Sequence, residues 1–445
     1  MKLSEIDATL REIRVSPVRS LGQNFLHDRN LAAWIVSKAE LSSDDYVIEI
    51  GPGLGALTEL ILESGARVLA IEKDQRLAQF LSKRFAGARL EIIHDDALHF
   101  DLRPLFAERR VKLLGNLPYY VASQLLLKFI KYPSPISLWL FMLQKEMARR
   151  ISAAPGTSDY GSLTLAVQSK YRVEFLRSVS ATVFLPQPEV DSAIVRLLPR
   201  LPNEVPPHDA ETFSRLVRRG FSQRRKQLRN LLKTEVPAWP EAAAALGFDE
   251  QTRAEELSLD QWIALSNRAR SQGAEGSIGE GSERFPVVDG DDHVTGDAPR
   301  SEVHGNNLRH RAVHLFIFNG QGELFLQKRS PWKDRHPLLW DSSAAGHVEA
   351  GEDYDVTATR ELKEELGVET ELTRVLKLQA SERTGQEFIW LYRGEHEGPF
   401  NLARTEIEHG EFFPTEVVSG WVKARPHDFA PGFLECWEQF QGATV

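Results

Sequence analysis

The spacing of apolar runs between residues 45 and 144 constrains the fold of this chain more than any other feature. Short apolar runs alternate there with stretches long enough for amphipathic helices, and the runs read YVIEIG, RVLAIE, LEIIHDDAL, VKLLGN and SLWLFMLQ. Strands that are buried on both faces have this near-continuous apolar character, and intervening helices allow them to run parallel. The pattern predicts an α/β domain with a parallel sheet that helices cover on both faces.

Composition divides the rest of the chain into segments. A proline-rich break, LPNEVPPHD, ends the first domain at about residue 205, and 206–270 reads as a small helical domain. Within it AETFSRLVRRGFSQRRKQLRNLL, residues 210–232, reads as helical throughout, and a turn follows at VPAWP. Residues 271–305 begin with a stretch rich in Gly, Ser and acidic residues, which cannot bury a core, so we expect a flexible linker. A new globular pattern occupies 306–445, where AVHLFIFN and GELFLQKR flank GQG as a hairpin and EFIWLYRGE is a further strand.

Charge is distributed unevenly along the chain. Residues 1–270 contain 37 Lys and Arg against 32 Asp and Glu, a net charge of +5, whereas 271–445 contain 17 against 31, a net charge of −14. The first part can therefore approach a polyanion, and the second would be repelled by one unless a metal ion intervened.

The cysteine count and the length of the apolar runs indicate the cellular compartment in which the protein is expected. Cys436 is the one cysteine of the chain, so an internal disulfide is excluded and a reducing compartment is favoured. No apolar run approaches the ~20 residues of a membrane span, and the start of the chain lacks the apolar stretch of a secretory signal. We expect a monomeric, cytoplasmic protein with no membrane partner.

A glycine turn follows the first predicted strand, in VIEIGPGLGALTELIL. Gly51, Gly53 and Gly55 permit a tight bend and a close approach of the backbone to a ligand, although such a turn alone is a weak signal. Glu72 ends the next strand, 21 residues after Gly51, where a carboxylate can accept hydrogen bonds from both ribose hydroxyls. Asp96 ends the following strand and suits an adenine amino group. Together these elements predict a nucleotide-type ligand.

The stretch GNLPYY, residues 115–120, indicates the chemistry. The lone pair of an adenine amino group is delocalised into the ring, so methyl transfer to this nitrogen needs groups that hold the amine. The side-chain amide of Asn116 and the carbonyl of Leu117 can orient the amine toward a sulfonium. Pro118 would stiffen the loop, and Tyr119 offers a ring on which an unstacked base can lie.

Several motifs in order resemble the small-subunit ribosomal RNA adenine dimethyltransferase family over roughly residues 10–268: LGQNFLHD, EIGPGLGALT, GNLPYY, VFLPQPEVDSAIVRL and FSQRRKQLRNLL. The resemblance implies a Rossmann-like methyltransferase that uses S-adenosylmethionine to form N6,N6-dimethyladenosine at two adjacent adenosines near the 3′ end of 16S rRNA, in the 30S particle. Tyr119 and Phe184 would bracket the flipped adenine. Tyr120 stands where the family usually has the asparagine of NLPYN. The implied cofactor-binding residues are Asn24, Leu26, Gly51, Glu72, Asp96 and Asn116.

A dense cluster of cations with no acid among them lies between residues 215 and 233. A basic helix is ordinarily a solvated face, but this density in the predicted helical domain favours contact with RNA phosphates. We expect charge reversal at Arg224 and Arg225 to weaken binding to ribosomal particles. The basic cluster consists of Arg215, Arg218, Arg219, Arg224, Arg225, Lys226, Arg229 and Lys233.

The second half contains GHVEAGEDYDVTATRELKEELGV, residues 346–368. This stretch resembles the Nudix box, G-x5-E-x7-R-E-U-x-E-E-x-G-U, at every defined position, and the resemblance implies an α/β/α Nudix fold over about 308–435. Glu352 and Arg360 are spaced to form an ion pair that braces the loop against the helix. The carbonyl of Gly346 is a candidate metal ligand. The matched positions are Gly346, Glu352, Arg360, Glu361, Leu362, Glu364, Glu365, Gly367 and Val368.

The glutamates of the box suit a divalent cation. Like charges at helical spacing repel each other, so Glu361, Glu364 and Glu365 would weaken an isolated helix. Mg²⁺, or Mn²⁺ in its place, prefers carboxylate oxygens and bridges phosphates. A bound cation would turn the repulsion into coordination and promote the attack of water on a diphosphate, with Glu364 as the candidate catalytic residue.

The sequence around the box most resembles the Nudix branch that contains isopentenyl diphosphate isomerases and their hydrolase relatives. The isomerases need a cysteine just before the box, where this chain reads DSSAAG, and Cys436 lies far outside that stretch. Hydrolysis of a nucleoside diphosphate or another X-linked diphosphate is the better prediction. Lys328, Arg329 and Lys333 are candidate phosphate ligands or surface residues.

Three alternatives remain open from the sequence. The Nudix portion could sense a nucleotide without cleaving it. The first half could be a large-subunit rRNA methyltransferase of the antibiotic-resistance type, which shares the glycine turn and NLPY, although FSQRRKQLRN favours the small-subunit family. Methylation could also be secondary to binding, in a ribosome-assembly factor.

Overall fold

The chain divides into two compact units. One unit contains Met1–Pro206 and Glu211–Ala269, and the other contains Pro207–Ala210 and Arg270–Val445. Within the described part of the chain, no helix combines the length and the apolar character needed to cross a membrane. The computed structural model describes residues 3–17, 23–117, 122–129, 134–201, 204–273, 283–333 and 335–443.

A mixed sheet forms the centre of the first unit. The strands of this unit are β1 (Phe25–Leu26), β2 (Tyr46–Ile50), β3 (Arg67–Glu72), β4 (Leu90–His94), β5 (Val111–Asn116), β6 (Ile136–Gln144), β7 (Tyr171–Val179), β8 (Phe184–Leu185) and β9 (Ser192–Pro199). The order is β4-β3-β2-β5-β6-β9-β7, and β1 pairs with β8. The five predicted strands are present and parallel, whereas β9 pairs antiparallel with β6 and β7 pairs antiparallel with β9.

Helices cover both faces of this sheet, as the apolar runs predicted. Neighbouring residues of one strand belong to different apolar clusters: Val47 packs on one face and Ile48 on the other, and Leu114 and Leu113 alternate in the same way. The helices of the first unit up to the sheet's end are α1 (Leu3–Glu12), α2 (Arg29–Ser37), α3 (Thr58–Glu63), α4 (Gln75–Arg84), α5 (Ala122–Phe129), α6 (Lys145–Ile151) and α7 (Ser162–Gln168).

The helical domain is more broken than its sequence predicted. Its helices are α8 (Ala210–Gly220), α9 (Leu228–Leu231), α10 (Trp239–Leu246) and α11 (Leu259–Gly273). The prediction of one continuous helix through residue 232 is wrong, because 221–227 form turns. Gly220 packs so tightly that an added Cβ would lie 2.4 Å from the Trp262 ring. The turn then brings Leu228 and Leu231 into the core that contains Trp262.

The second unit has α/β/α layers. Its strands are β10 (Arg284–Val288), β11 (Val294–Pro299), β12 (His310–Phe318), β13 (Leu324–Arg329), β14 (Trp340–Asp341), β15 (Ala344–His347), β16 (Thr373–Leu378), β17 (Glu387–Glu395) and β18 (Ile407–Phe413). Its helices are α12 (Arg300–Gly305), α13 (Tyr354–Leu366), α14 (Thr415–Ala424) and α15 (Pro431–Ala443). The main sheet has the order β14-β13-β12-β17-β16, with β15 on β12 and β18 on β13. Leu315 of β12 packs in the cluster that contains Leu362 of α13, whereas Phe316 contacts Phe433 of α15 on the other face.

The linker prediction for 271–305 is wrong over most of its length. Residues 284–305 form the hairpin β10–β11 and the helix α12. The hairpin is bonded to the Nudix portion, since Ala350 N–H donates to the carbonyl of Arg284 at 2.9 Å. Phe285 is buried, and Asp292 accepts bonds from Arg311 and Tyr354. The polar average composition of this stretch gave no sign of these few buried side chains. Residues 274–282 lie outside the described residues.

Candidate functional sites in the two units

An open cleft of about 980 Å³ lies beyond the carboxyl ends of β2, β3 and β5. Parallel sheets bind ligands at this edge because loops and helix N-termini converge there. The cleft brings together all the residues predicted to bind the cofactor, which are Asn24, Leu26, Gly51, Glu72, Asp96 and Asn116. The six residues therefore line one cleft, and their role in binding a nucleotide-type ligand stays a prediction.

The glycine turn and Glu72 form one hydrogen-bonded unit. Gly51 and Gly53 have φ of +65° and +60°, a backbone conformation that other residues rarely adopt. One oxygen of the Glu72 carboxylate accepts Gly53 N–H at 3.1 Å, and the other accepts Asp74 N–H at 2.9 Å. Burial raises the pKa of Glu72. These bonds fix the position of the carboxylate in the lining of the cleft.

A second buried carboxylate, Glu49, also lines this cleft and was not assigned from the sequence. It is 1% exposed on β2 and accepts a hydrogen bond from the Thr58 hydroxyl at 2.7 Å, which connects the strand to the start of α3. Burial raises the pKa of Glu49 to about 7. Its signal in the sequence is an acid within the otherwise apolar run YVIEIG.

Asp96 has two different hydrogen-bond partners. One carboxylate oxygen accepts the backbone N–H of Leu98 at 3.0 Å, and the other accepts the ammonium of Lys73 at 2.7 Å. Partial burial opposes ionisation, but the bonds from Lys73 and Leu98 and the nearby positive charges together outweigh it, and the pKa of Asp96 is lowered. Lys73 lines the same cleft, and no sequence motif pointed to it.

Asn116 faces the cleft rather than the interior of the sheet. Its side-chain N–H donates to the carbonyl of Asn24 at 3.2 Å, so the end of β5 is tied to the segment before β1. Leu117 is buried and its N–H donates to the carbonyl of Met142 at 3.1 Å. Pro118, Tyr119 and Tyr120 lie outside the described residues.

Phe184 is close to the cofactor cleft but is not exposed in it. It is 2% exposed and pairs across the β1–β8 ladder with Leu26, which does line the cleft. Its ring belongs to the apolar cluster that covers one face of the sheet. The predicted stacking of an adenine between Tyr119 and Phe184 therefore stays a prediction.

The basic cluster is divided by its contacts. Arg219 pairs with Glu235 at 3.1 Å, because the turn after α8 brings that acid back from beyond the acid-free stretch. Arg224 donates to the carbonyls of Ser158 and Tyr160 at 2.6 and 3.4 Å, so it holds a loop of its own unit. The side chains that stay exposed include Arg215, Arg218, Arg225, Lys226, Arg229 and Lys233.

The second unit contains a larger cleft, of about 2030 Å³, beside the Nudix helix α13. Asp353 begins this helix by accepting N–H bonds from its first turn, and Gly367 ends it with φ of +68°. Residues of the hairpin and of α12 also line the cleft, among them Phe285 and His304. The box residues that face the cleft are Gly346, Arg360, Glu361, Glu364 and Glu365.

A single guanidinium contacts three carboxylates in this cleft. The predicted ion pair is present, since Arg360 Nε donates to Glu352 at 3.1 Å. Arg360 Nη1 also donates to Glu361 at 2.8 Å and to Glu364 at 3.0 Å. Glu365 is buried close by and accepts Ala345 N–H at 3.1 Å. Three carboxylates therefore share one arginine, and Lys333 is a second cation whose charge acts on Glu361 and Glu365.

Two observations indicate that the glutamates suit a cation. Burial raises the pKa of Glu361 to about 7 and of Glu365 to about 8, although Arg360 contacts Glu361 and the charge of Lys333 acts on both carboxylates. The Glu361 carboxylate also lies against Gly346, where an added Cβ would be 2.0 Å from its Oε1. The absence of a side chain at Gly346 therefore leaves room for the carboxylate. The donor set of oxygens fits Mg²⁺ or Mn²⁺.

A second group of potential ligands, missed in the sequence, adjoins the glutamates. One nitrogen from each of His304, His310 and His347 lies within 4.8 Å of the others. Glu387 contacts two of these rings, at 3.2 Å from His347 and 3.6 Å from His310. Burial lowers the pKa of His347 to about 4 and of His304 to about 3, so these imidazoles are neutral at pH 7. Such a donor set could hold a first-row transition cation.

The remaining candidate residues of the second unit do not all line the Nudix cleft. Arg329 and Lys333 line the Nudix cleft, but Lys328 does not, because alternate residues of β13 face opposite sides of the sheet. Burial lowers the pKa of Lys328 to about 8. Cys436 is buried in α15 and does not line the cleft, and Ala345 occupies the stretch before the box. The cysteine needed by an isomerase is therefore missing from this site.

The fold and the two clefts define a Rossmann-like methyltransferase unit followed by a Nudix unit. A sequence model described as ribosomal RNA adenine dimethylase matches residues 17–271, and a model described as NUDIX domain matches 308–433. The first match spans more than half of the chain, and the protein belongs to the ribosomal RNA adenine dimethylase family, with a NUDIX domain in its second half. The sequence resemblances are confirmed.

Similar proteins cover the first unit. A ribosomal RNA small subunit methyltransferase A from Geobacillus thermodenitrificans is 42% identical over 262 residues, which is 56% of this chain and 89% of the relative. One from Bacillus mycoides is 40% identical over 56% of this chain and 90% of the relative. A crystal structure of a dimethyladenosine transferase from Plasmodium falciparum has a TM-score of 0.50 at 25% identity and covers 56% of this chain and 98% of that one.

Proposed function

We propose that the first unit transfers methyl groups from S-adenosylmethionine to N6 of two adjacent adenosines near the 3′ end of small-subunit rRNA. The observation that carries this proposal is the common cleft of the six predicted cofactor residues, with Asn116 at its edge. The similar proteins from Geobacillus and Bacillus are named small-subunit enzymes, which favours this substrate over large-subunit rRNA.

The chain's own residues would bind and orient the two substrates. Glu72, held by the glycine turn, accepts the ribose hydroxyls, and Asp96 accepts the adenine amine of the cofactor. The side-chain amide of Asn116 and the carbonyl of Leu117 hold the amine of the target base. S-adenosylmethionine supplies an electrophilic methyl group on sulfur. Removing one such positioned polar group typically costs about 10²–10³ in rate.

Methyl transfer to undermethylated 30S particles tests this proposal, with the modified positions mapped by primer extension. We expect two adjacent adenosines of 16S rRNA to be modified and Asn116→Ala to lose about 10²–10³ in rate. Modification of large-subunit rRNA instead would favour the antibiotic-resistance type of enzyme. Full restoration of 30S assembly in cells by Asn116→Ala would favour an assembly factor whose methylation is secondary.

We also propose that the NUDIX domain hydrolyses an X-linked diphosphate, such as a nucleoside diphosphate derivative, with Mg²⁺. The observation that supports hydrolysis is the group of carboxylates around the one guanidinium of Arg360. Glu361, Glu364 and Glu365 would hold the cation, which supplies positive charge to the phosphates and acidifies water.

Glu364 is the best candidate to accept a proton from the attacking water. Its side chain is 60% exposed, whereas that of Glu361 is 13% exposed. Arg360 orients it through the bond at 3.0 Å and is itself braced by Glu352. Arg329 and Lys333 line the cleft and would contact phosphate groups of the substrate.

A screen of the full chain against nucleoside diphosphate derivatives tests the second proposal. We expect phosphate-containing products that depend on Mg²⁺ and disappear when a chelator is added. Calorimetric binding of a nucleotide without its cleavage would favour a sensing module. A fragment used for the same purpose should begin before β10, because one that begins at residue 301 lacks the hairpin.

A further inference from the structure

A lysine without an assigned role lies beside the two end-of-strand carboxylates of the methyltransferase cleft. Lys73 directly follows Glu72 at the end of β3, and its ammonium donates to Asp96 at 2.7 Å. The other oxygen of Asp96 accepts Leu98 N–H at 3.0 Å. Each oxygen of this carboxylate therefore has a fixed position before a ligand binds.

The side chain of Lys73 crosses the gap between two neighbouring strand ends. β3 and β4 are paired up to Glu72 and His94, so the chain leaves both strands at the same edge. A nucleoside whose ribose bonds to Glu72 and whose amine bonds to Asp96 has its base between these carboxylates. Because the lysine side chain begins beside Glu72 and ends at Asp96, it borders the space for the base.

On the basis of the cofactor site proposed above, we propose that Lys73 is a positioning residue that sets the purine specificity of this cleft. It holds Asp96 as an ionised acceptor for the exocyclic amine of adenine. An ionised carboxylate repels the carbonyl oxygen that hypoxanthine has at the same position, whereas a protonated carboxyl can donate to it. A site built to bond one polar group discriminates strongly against a ligand that lacks it.

The charged groups around Asp96 come from several elements. Lys73 approaches from the end of β3, and His99 and Asp95 lie on the same loop as Asp96. Lys128 of α5 faces Asp96, Asp95 and Asp101. Burial opposes the charge on Asp96, but the surrounding donors lower its pKa. Loss of the Lys73 ammonium should raise this pKa, so that adenine binding weakens at a higher pH than in the wild type.

Binding of two ligands to the full chain tests the proposal: S-adenosylhomocysteine and its deaminated analogue S-inosylhomocysteine. Titration calorimetry should show a preference for the adenine ligand of about 10² or more in the wild type. Lys73→Met keeps the aliphatic chain without the charge. We expect it to weaken binding of the adenine ligand about tenfold, to reduce the preference, and to move the acid limb of the affinity profile to higher pH.

Two further variants separate specificity from folding. Lys73→Arg keeps a cation at this position and should retain most of the preference. Lys83→Met, in the last turn of α4, should behave as the wild type. If Lys73→Met keeps the full preference and the wild-type pH profile, the role of Lys73 is overturned while the cofactor site stands. If the wild type does not bind S-adenosylhomocysteine, the cofactor site and this inference fail together.

Discussion

Carboxylates line both clefts, but the groups that hold them differ. In the methyltransferase cleft, Glu72 and Glu49 are each satisfied by uncharged donors: two backbone N–H groups for the first and the Thr58 hydroxyl for the second. In the NUDIX cleft, Glu361 and Glu364 share one guanidinium, which also binds Glu352. Each carboxylate of the first arrangement has its own donors, whereas the carboxylates of the second share one arginine.

The hydrogen-bond and ion-pair partners of a carboxylate indicate which kind of ligand it suits. A carboxylate with separate hydrogen-bond donors keeps a fixed direction and can accept bonds from a neutral ligand, as a nucleoside requires. Carboxylates that crowd around too few cations gain most from a divalent metal ion. We therefore propose that the same residue type, glutamate, serves recognition in one unit and metal binding in the other.

We expect the largest effect from mutation of a glutamate in the NUDIX cleft, which should change one activity and leave the other unchanged. Glu364→Gln keeps the size of the side chain but removes a charge and a proton acceptor. We expect diphosphate hydrolysis to fall by about 10²–10⁴, and methyl transfer to 30S particles to be unchanged. Product release and methyl incorporation should be measured on the same preparation. Glu369→Gln, an exposed acid just beyond α13, is the matched control. Equal hydrolysis by wild type and Glu364→Gln would contradict the assigned role.

A stability experiment tests whether the hairpin β10–β11 belongs to the NUDIX unit. Asp292 is buried and accepts bonds from Arg311, Tyr354 and Lys377. Asp292→Asn leaves the cations Arg311 and Lys377 without their counter-charge, and we expect it to lower the unfolding free energy of this unit by about 3 kcal/mol. Asp291→Asn changes an exposed neighbour and should have little effect.

The stability difference between wild type and Asp292→Asn should depend on pH. Burial opposes the charge on Asp292, but its bonds from Lys377 and Arg311 lower its folded-state pKa below 3.8. A lowered pKa contributes stability above the unfolded value that is lost as the pH falls through the folded value. The difference between wild type and Asp292→Asn should therefore be constant near neutral pH and shrink below about pH 4. Denaturant unfolding at several pH values measures it. A difference that grew on acidification would contradict this assignment.

A smaller effect should follow from filling the space beside Glu361. In Gly346→Ala the new Cβ would overlap the Glu361 carboxylate, so that side chain must move. We expect Mg²⁺ to bind about 10–100-fold more weakly, with S-adenosylhomocysteine binding unaffected. Gly296→Ala, where an added Cβ meets nothing within 4 Å, is the control. Unchanged Mg²⁺ affinity in Gly346→Ala would show that Glu361 is not a ligand.

The smallest expected effect concerns RNA binding by the basic cluster. Arg225 and Lys226 are exposed on the turn after α8. Reversal of both charges should weaken binding to 30S particles about tenfold and reduce the salt dependence of binding. Arg224→Glu should instead lower the melting temperature, because Arg224 holds the carbonyl of Ser158. Charge reversal at Lys83 serves as a remote control. Binding with an unaltered salt slope would place the RNA elsewhere.

Much of the fold could be predicted because local patterns decide local structure. The runs RVLAIE and VKLLGN are strands with the predicted bounds, and EFIWLYRGE is β17. Each run is long and apolar enough that burial favours a strand whatever surrounds it. The prediction of a helix through residue 232 was wrong because tertiary packing matters there: α8 ends at Gly220, which packs on Trp262, and turns follow. The linker prediction failed because a few buried side chains, such as Phe285, outweigh a polar average.

The sequence by itself determined which chemical groups each unit contains: a glycine turn and spaced acids in the first, and the box of glutamates in the second. These motifs are defined by residue type and short spacing along the chain, so they can be recognised without the folded structure. Only the tertiary structure decided that Lys73 reaches Asp96, that Glu235 pairs with Arg219, and that His304 joins His347. The residues of each pair lie on different elements, so their contact depends on the tertiary packing of those elements and not on local sequence.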